Sequence, residues 1–304
     1  MNTLIVKLNA TGDVVRTTAL VHKLEGSITW ITARSNVPLL TGLTRPLRCL
    51  AWEQRDEALT AEYDLAINLE DDVEPAAFVA RTRSARVFGA VLEAGNRVGY
   101  SDDSHVWFDM SLVSRLGRAR ADELKLRNRS SYQQMLFAGL GHRFEGEPYV
   151  LPSPPETGLR GDVAIAPVAG PVWPMKNWHH YDELQRRLEA RGLRVNVLPR
   201  RDSLLEHLGD VAAHRCLVSG DSLPMHLALG AAVPCVTLFN CTSPWEIHDY
   251  GLQTQLISPL LEQFFYQRGT DEAATTAISV ETVEQAVMQQ LDRASGRRNE
   301  ADGK

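Results

Sequence analysis

The chain is poor in cysteine and has no long apolar run. Four cysteines occur in 304 residues, and none belongs to a C-x-x-C pair or a histidine pairing. The sequence therefore predicts reduced thiols and no zinc site. No segment approaches the roughly 20 apolar residues needed to span a bilayer. Lys7 interrupts the first apolar run, which argues against a signal peptide. These absences predict a cytoplasmic protein with at most peripheral membrane association.

The sequence also lacks a positive charge excess and the common phosphate-binding motifs. Lysine and arginine number 32 against 38 acidic residues, a net charge of −6, so nucleic acid is not an expected partner. Neither G-x-G-x-x-G nor G-x-x-x-x-G-K-[ST] occurs. The usual dinucleotide-binding and P-loop interpretations therefore have no support.

Strand-like and helix-like segments alternate through both halves of the chain. In the first half the patterns predict strands over 3–8, 27–33, 46–52, 63–69 and 97–100, with helices over 14–24, 75–91 and 131–141. In the second half they predict strands over 162–167, 194–198, 216–220 and 234–240, and a last helix from Ser279. Such alternation predicts an α/β fold with parallel sheets covered on both faces.

Residues 151–160, LPSPPETGLR, interrupt this alternation with three prolines and a glycine. A chain of this length suits two domains of about 150 residues each. We therefore expect an N-terminal domain over 1–152 and a C-terminal domain over 160–293. Residues 294–304 are expected to form a disordered tail.

The segment NATGDVV joins the first strand to the first helix. Open α/β sheets bind ligands at this end of their strands. Gly12 would permit a tight turn, and Asp13 would be stabilised as an anion at a helix start. Asp13 is therefore a candidate general base that removes a proton from a hydroxyl. The alternative is that Asp13 only caps its helix.

Two segments of the second half predict an anion site. In VSGDSLPMHLALG a strand ends at Asp221 and a helix begins near Ser222. The free backbone N–H groups at the start of this helix suit a diphosphate. Asp221 could accept hydrogen bonds from sugar hydroxyls, and His226 could donate to a phosphate or be structural. In WPMKNW, Lys176 is a candidate phosphate ligand, or a surface lysine with a buried stem.

In chain order, the segments LIVKLNATGDVVRTTAL, RVGY, YQQMLFAGLG, WPMKNW, SGDSLPMHLALGAAVPCVTLF and ISVETVEQAV resemble the ADP-heptose:lipopolysaccharide heptosyltransferases, glycosyltransferase family 9. The resemblance covers residues 1 to about 293. It implies the GT-B architecture, in which two Rossmann-like domains face each other across a cleft. It also implies a cytoplasmic role in lipopolysaccharide biosynthesis and inverting transfer without a metal or other cofactor.

The resemblance also implies roles for individual residues. Asp13 matches the proposed base and Lys176 the diphosphate lysine. The expected donor contacts are Thr11, Gly12, Lys176, Asp221, Ser222, Leu223, Met225 and His226. The expected donor is a nucleotide-diphosphate sugar, ADP-heptose first, and the expected acceptor is a saccharide or a lipid-linked saccharide.

The departures of the sequence from the family pattern include two near the expected donor. Leu223 replaces the usual glycine, and a Gly-Gly…Glu element is missing between RVNVLP and LLEHL. These departures keep a non-catalytic nucleotide-sugar-binding subunit open as an alternative, and a nucleotide-sugar epimerase of the same architecture is a second one. The basic residues of segment 118–129 could meet an anionic saccharide or form a solvated face.

Overall fold

The computed structural model describes the backbone of residues 1–302 and the side chains of residues 1–293. The chain divides into two compact units, Met1–Ser153 and Pro154–Lys304. All four cysteines are free thiols. Among the helices described, none is both long and apolar enough to cross a membrane.

The first unit is built on a mostly parallel sheet. Its strands are β1 (Asn2–Val6), β2 (Ser27–Thr32), β3 (Arg48–Ala51), β4 (Glu62–Tyr63), β5 (Leu65–Asn68), β6 (Arg83–Ser84), β7 (Val87–Glu93) and β8 (Arg97–Tyr100). Its α-helices are α1 (Thr11–Thr17), α2 (Val73–Ala80), α3 (His105–Phe108), α4 (Arg118–Arg127) and α5 (Tyr132–Gly139). Short 3-10 helices cover Thr18–His22, Arg34–Leu40, Trp52–Thr60 and Asp102–Ser104.

Six of these strands form the main sheet in the order β3-β2-β1-β5-β7-β8, while β4 and β6 form a separate pair. Only β8 among the main strands is antiparallel to its neighbour. The chain moves outward from β1 to β3 and then returns to the other side of β1. The point where this winding direction reverses therefore lies between β1 and β5.

The apolar side chains of β1 are covered on both faces of the sheet. Leu4, Ile5 and Val6 are fully buried. In the register, Val6 lies opposite Ile31 on one side and Asn68 on the other. A strand enclosed in this way has a continuous apolar run rather than an alternating one.

The helix predicted over 75–91 is wrong in its second half. Helix α2 ends at Ala80, and Val87–Glu93 is a strand that pairs with β5. The polar run RTRSAR gives a continued helix no apolar face, whereas the apolar run that follows can be buried in the sheet. Gly89 has φ 97°, and a Cβ there would lie 2.0 Å from the Asn68 carbonyl oxygen. The pairing of β5 with β7 therefore requires glycine at this position.

The second unit contains a fully parallel five-stranded sheet. Its strands are β9 (Gly161–Ala166), β10 (Val195–Val197), β11 (His214–Gly220), β12 (Cys235–Phe239) and β13 (Gln253–Ile257). Its helices are α6 (Tyr181–Ala190), α7 (Leu204–Ala212), α8 (Leu223–Gly230), α9 (Leu261–Phe264), α10 (Glu272–Thr276) and α11 (Val280–Asp302), and a 3-10 turn covers Pro174–Lys176.

The strand order in this sheet is β10-β9-β11-β12-β13. The winding direction therefore reverses between β9 and β11. Helix α11 covers one face of the sheet, with Val283 and Val287 fully buried in the same core as Val218 and Val236. This helix extends to Asp302, into the segment 294–304 predicted to be a disordered tail. The side chains of that segment lie outside the described residues, so the disordered tail stays a prediction.

Candidate active site

The chemistry-bearing residues lie at the reversal point of each sheet. In open α/β sheets, ligands bind beyond the carboxyl ends of the strands at such a point. In the first unit Lys7 follows β1 and Glu70 follows β5. In the second unit Lys176 lies in the connection after β9, and Asp221 directly follows β11.

In the first unit, Lys7 and Glu70 form a buried ion pair. Lys7 Nζ lies 2.7 Å from Glu70 Oε1, and Glu70 is only 3% exposed. The same carboxylate oxygen accepts hydrogen bonds from the backbone N–H groups of Leu8 and Asn9 at 2.8 and 3.2 Å. Glu70 therefore fixes the backbone that leads from β1 toward α1.

Asp13 lies in the first turn of α1 between two cations. Its carboxylate is 2.9 Å from Arg16 and 4.0 Å from Lys7 Nζ. The Arg16 guanidinium lies over the Tyr132 ring, 3.9 Å from its centroid. The cations stabilise the negative charge of Asp13, and the ring holds Arg16 in place. Asp13 is 29% exposed, so a ligand can reach its carboxylate.

The turn before α1 differs in detail from the expectation. The residue with positive φ is Ala10, at 54°, whereas Gly12 lies inside the helix. The Thr11 hydroxyl donates to Asn36 Oδ1 at 2.8 Å, and Asn36 Nδ2 donates to the Leu8 carbonyl. Thr11 thus ties the helix start to its neighbours. The donor contacts predicted for Thr11 and Gly12 stay predictions.

A cavity of about 320 Å³ opens beside Asp13. This is at the lower end of the roughly 300–1,000 Å³ range of small-molecule sites. Acidic and basic side chains line part of it, namely Lys7, Asp13, Glu70, Asp71, Asp72 and Lys125. Apolar side chains line another part, namely Leu69, Trp107, Phe108, Met110 and Leu112. The pocket thus combines a candidate base with apolar and charged surfaces.

In the second unit, Lys176, Asp221 and Thr242 come together from three adjacent strand ends. Asp221 Oδ2 accepts hydrogen bonds from Lys176 Nζ at 2.8 Å and from the Thr242 hydroxyl at 2.7 Å. Lys176 and Asp221 are only 14% and 15% exposed. A Cβ at Gly220 would lie 2.6 Å from the Lys176 carbonyl oxygen, so glycine allows this close approach.

The environment of Asp221 favours its ionised form. Burial raises the pKa of this carboxyl, but Lys176, His226 and Thr242 outweigh that effect and hold the pKa at about 2. Asp221 is therefore a carboxylate throughout the neutral pH range. Its ion pair places the Lys176 ammonium at the carboxyl edge of the sheet, where an anionic ligand can meet it.

The residues after Asp221 divide into accessible and buried positions. Ser222 is the N-cap of α8 and makes no side-chain capping bond, and Leu223 begins the helix. Both are partly exposed, whereas Met225 is fully buried and His226 is 5% exposed. Met225 therefore packs inside the unit in this structure. Its predicted contact with a donor stays untested, as do those of Ser222, Leu223 and His226.

Four site residues were not predicted from the sequence: Arg16, Glu70, Asp71 and Thr242. Each of the last three follows a strand, so the same rule that led to Asp13 and Asp221 could have found them. Arg16 is three residues beyond Asp13 on the same helix, a spacing at which side chains meet. Within the described residues, no group of three or more His, Cys, Asp or Glu side chains could hold a metal ion.

Solved structures of several glycosyltransferases share the fold of this chain. An E. coli heptosyltransferase WaaC, solved with ADP-2-deoxy-2-fluoro heptose, is 16% identical with a TM-score of 0.60, covering 95% of this chain and 99% of that one. E. coli ADP-heptose lps heptosyltransferase II is 15% identical with a TM-score of 0.54, at 97% and 100% coverage. A family 9 glycosyltransferase from Veillonella parvula is 15% identical with a TM-score of 0.63, at 96% and 97% coverage.

No curated protein sequence is significantly similar to this chain. The model of glycosyltransferase family 9 (heptosyltransferase) matches residues 54–264, which is more than half of the chain. The match begins after Asp13 and includes Asp71, Lys176, Asp221 and Thr242. The chain therefore belongs to glycosyltransferase family 9, the heptosyltransferase family, and is a glycosyltransferase.

Proposed function

We propose that this glycosyltransferase moves a heptose-type sugar from ADP-heptose to a hydroxyl of a saccharide or lipid-linked saccharide. The hydrogen-bonded group of Lys176, Asp221 and Thr242 supports the donor part of the proposal, because it sets a largely buried cation beside a carboxylate that can accept hydrogen bonds from sugar hydroxyls. The WaaC structures contain ADP and an ADP-heptose analogue, which supports the same donor class.

The donor diphosphate is assigned to Lys176 and to the amides at Ser222. Lys176 supplies a point charge, and the start of α8 supplies backbone N–H donors. Asp221 carries negative charge and is therefore assigned to hydroxyls of the donor sugar. The Asp221 oxygen Oδ2 already accepts two hydrogen bonds, so Oδ1 is the oxygen assigned to the sugar. The donor contacts implied for Thr11, Gly12, Leu223, Met225 and His226 belong to this proposal as well.

Asp13 is assigned as the general base for the acceptor. As the acceptor oxygen attacks the anomeric carbon, its proton passes to the Asp13 carboxylate. The new C–O bond forms on the face opposite the diphosphate, the bond to the diphosphate breaks, and ADP leaves with inversion. Lys176 stabilises the negative charge that develops on the leaving group, and this role does not require a metal ion.

Acceptor-dependent release of ADP tests the proposal. The chain is incubated with ADP-heptose, with and without a lipopolysaccharide core from heptose-deficient cells, and both ADP and the sugar product are measured. We expect ADP release with the acceptor and a product of inverted anomeric configuration. A changed sugar without acceptor would favour the nucleotide-sugar epimerase, and ADP-heptose binding with no turnover would favour the non-catalytic subunit.

A further inference from the structure

We infer that Tyr100 is a positioning residue for the acceptor, because its phenol oxygen holds segment 109–115 in place as one wall of the cavity beside Asp13. The inference rests on the proposed function, since it assigns this cavity to the acceptor of the transfer. It gives a role to the tyrosine of the RVGY segment, which the proposed transfer steps do not use.

The phenol oxygen of Tyr100 joins the two ends of segment 109–115. Tyr100 is the last residue of β8, and its hydroxyl donates a hydrogen bond to Asp109 Oδ1 at 2.5 Å. The same oxygen accepts a hydrogen bond from the backbone N–H of Arg115 at 2.9 Å. A phenol can donate one hydrogen bond and accept another, so these two bonds close the segment onto a single atom of the sheet.

The surroundings of this phenol fix its position and its protonation. Tyr100 is fully buried, and its ring stacks on Phe108 with centroids 5.3 Å apart at 17°. The Arg115 guanidinium lies over the same ring, 4.3 Å from its centroid, and donates to the Tyr100 carbonyl oxygen. Burial raises the pKa of the Tyr100 hydroxyl, and the bond to Asp109 raises it further. The hydroxyl is therefore protonated at neutral pH and donates to Asp109 under working conditions.

Hydrogen bonds inside the segment shape it but do not tie it to the sheet. The Ser111 N–H donates to the Phe108 carbonyl at 3.0 Å, and the Val113 N–H donates to the Ser111 hydroxyl at 3.2 Å. These contacts form local turns. The bonds to Tyr100, in contrast, connect the segment to β8 and so determine where its side chains lie.

Segment 109–115 presents apolar surface to the cavity. Met110 and Leu112 line it, as does Phe108 directly before the segment. Met110 is 8% exposed, whereas Leu112 is 67% exposed, so the tip of the segment reaches solvent. Ordering such a segment at the moment of binding costs conformational entropy and weakens affinity. The bonds to Tyr100 order it during folding, so the acceptor meets a wall that is already formed.

Tyr100→Phe tests the inference, because it retains the ring and removes only the hydroxyl. Hydrogen–deuterium exchange of the full chain should become about tenfold faster in segment 109–115, the size expected for one hydrogen bond to a charged group. In the transfer assay with the lipopolysaccharide core, the KM for this acceptor should rise by about the same factor. Both kcat and the ADP affinity should stay within about twofold, because the wall contributes to binding rather than to the chemical step.

Tyr63→Phe is the matched control. Tyr63 is 2% exposed in the same unit, and its hydroxyl donates to the Ala58 carbonyl at 3.0 Å, away from the residues that line the cavity. This variant should change neither the exchange of segment 109–115 nor the acceptor KM. Asp109→Ala removes the Tyr100 bond from its other end. The double variant Tyr100→Phe/Asp109→Ala should therefore have an acceptor KM no higher than that of the weaker-binding single variant.

Unchanged exchange in Tyr100→Phe, an equal effect of Tyr63→Phe, additive effects in the double variant, or faster exchange with an unchanged acceptor KM would overturn the inference. Failure of the proposed function is seen differently, as an absence of transfer by the wild type. Exchange, together with binding of the lipopolysaccharide core measured by saturation-transfer NMR, then decides the role of Tyr100, because neither measurement requires turnover.

Discussion

Lys176 Nζ lies 2.8 Å from Asp221 Oδ2, so the candidate phosphate ligand is paired with the candidate sugar ligand. Both side chains are largely buried. Removal of one partner would leave a buried charge without compensation, which costs about 3–5 kcal/mol in comparable pairs. The pair therefore holds the candidate phosphate ligand beside the Asp221 carboxylate, and under the proposed function the donor diphosphate competes with Asp221 for the ammonium.

The first prediction concerns the pH dependence of stability. The pKa of Asp221 is about 2 in the folded chain, below the value of about 3.9 of an unfolded aspartate. The unfolded chain therefore binds more protons, and the ion pair stabilises the fold above about pH 4. This stabilisation is lost as the pH falls toward 2. Urea unfolding measures the free energy of unfolding at each pH. The difference in this free energy between wild type and Asp221→Asn should shrink as the pH falls from 6 to 2.5.

Asp56→Asn is a suitable control for this measurement, because the ion pair of Asp56 with Arg81 is solvent-exposed. Its effect on the free energy of unfolding should be small at every pH. A gap between wild type and Asp221→Asn that stays constant from pH 6 to 2.5 would contradict the assigned pKa.

The second prediction separates the diphosphate from the nucleoside. Lys176→Met in an Asp221→Asn background removes the ammonium without leaving a buried carboxylate unpaired. Compared with Asp221→Asn alone, it should weaken ADP binding about tenfold or more, since a hydrogen bond to a charged group is worth roughly 1.5–3 kcal/mol. Adenosine has no diphosphate, so its affinity should stay unchanged. Calorimetric titration measures both, and an equal loss for the two ligands would assign Lys176 to folding instead.

Much of the fold could be predicted from the sequence, because strands buried on both faces have continuous apolar runs. β1, β9 and β12 were predicted within two residues at each end. The strand β7 was missed because its apolar run is as compatible with a buried helix as with a buried strand. What decides between them is the contact of Gly89 with Asn68, a long-range relationship that local periodicity does not contain.

The candidate site was less accessible to prediction. Asp13 and Asp221 were found because each lies on a turn between a strand and a helix. Lys176 was predicted to be a phosphate ligand, but its pairing with Asp221 depends on the order of the strands in the sheet. Thr242 joins the same group because β12 lies next to β11. Spatial order of this kind cannot be deduced from the spacing of residues along the chain.

The third prediction concerns Thr242 as a positioning residue for Asp221. Thr242→Val removes the hydroxyl that donates to Oδ2 at 2.7 Å, and we expect the free energy of unfolding to fall by about 1–3 kcal/mol. We also expect the KM for ADP-heptose to rise with a smaller change in kcat, because the Asp221 carboxylate loses its orientation. Thr242→Ser retains the hydroxyl and should restore both values. If Ser and Val behave alike, the hydroxyl is not the group that matters.

The fourth prediction concerns the candidate base. Asp13→Asn retains the shape of the side chain but cannot take up the acceptor proton, so kcat should fall by about 10² to 10⁴. The ADP affinity should stay unchanged, because the diphosphate ligands lie in the other unit. Single-turnover transfer and ADP titration on one sample measure both quantities. The exposed acid Asp56 again offers a control, and Asp56→Asn should retain full turnover. Unchanged turnover in Asp13→Asn would exclude the assigned role.

The last prediction is that transfer continues after removal of divalent cations. Residues 154–304 contain no Asp-x-Asp sequence that could hold a cation against the diphosphate. Lys176 and the backbone N–H groups at the start of α8 can instead stabilise the negative charge of the leaving group. Turnover of ADP-heptose in EDTA should therefore stay within about twofold of the rate with magnesium, whereas an enzyme that relies on the metal as a Lewis acid would lose its activity. A rate abolished by EDTA and restored by magnesium would reassign the leaving-group role from Lys176 to a metal, and would leave the family and the fold as they are.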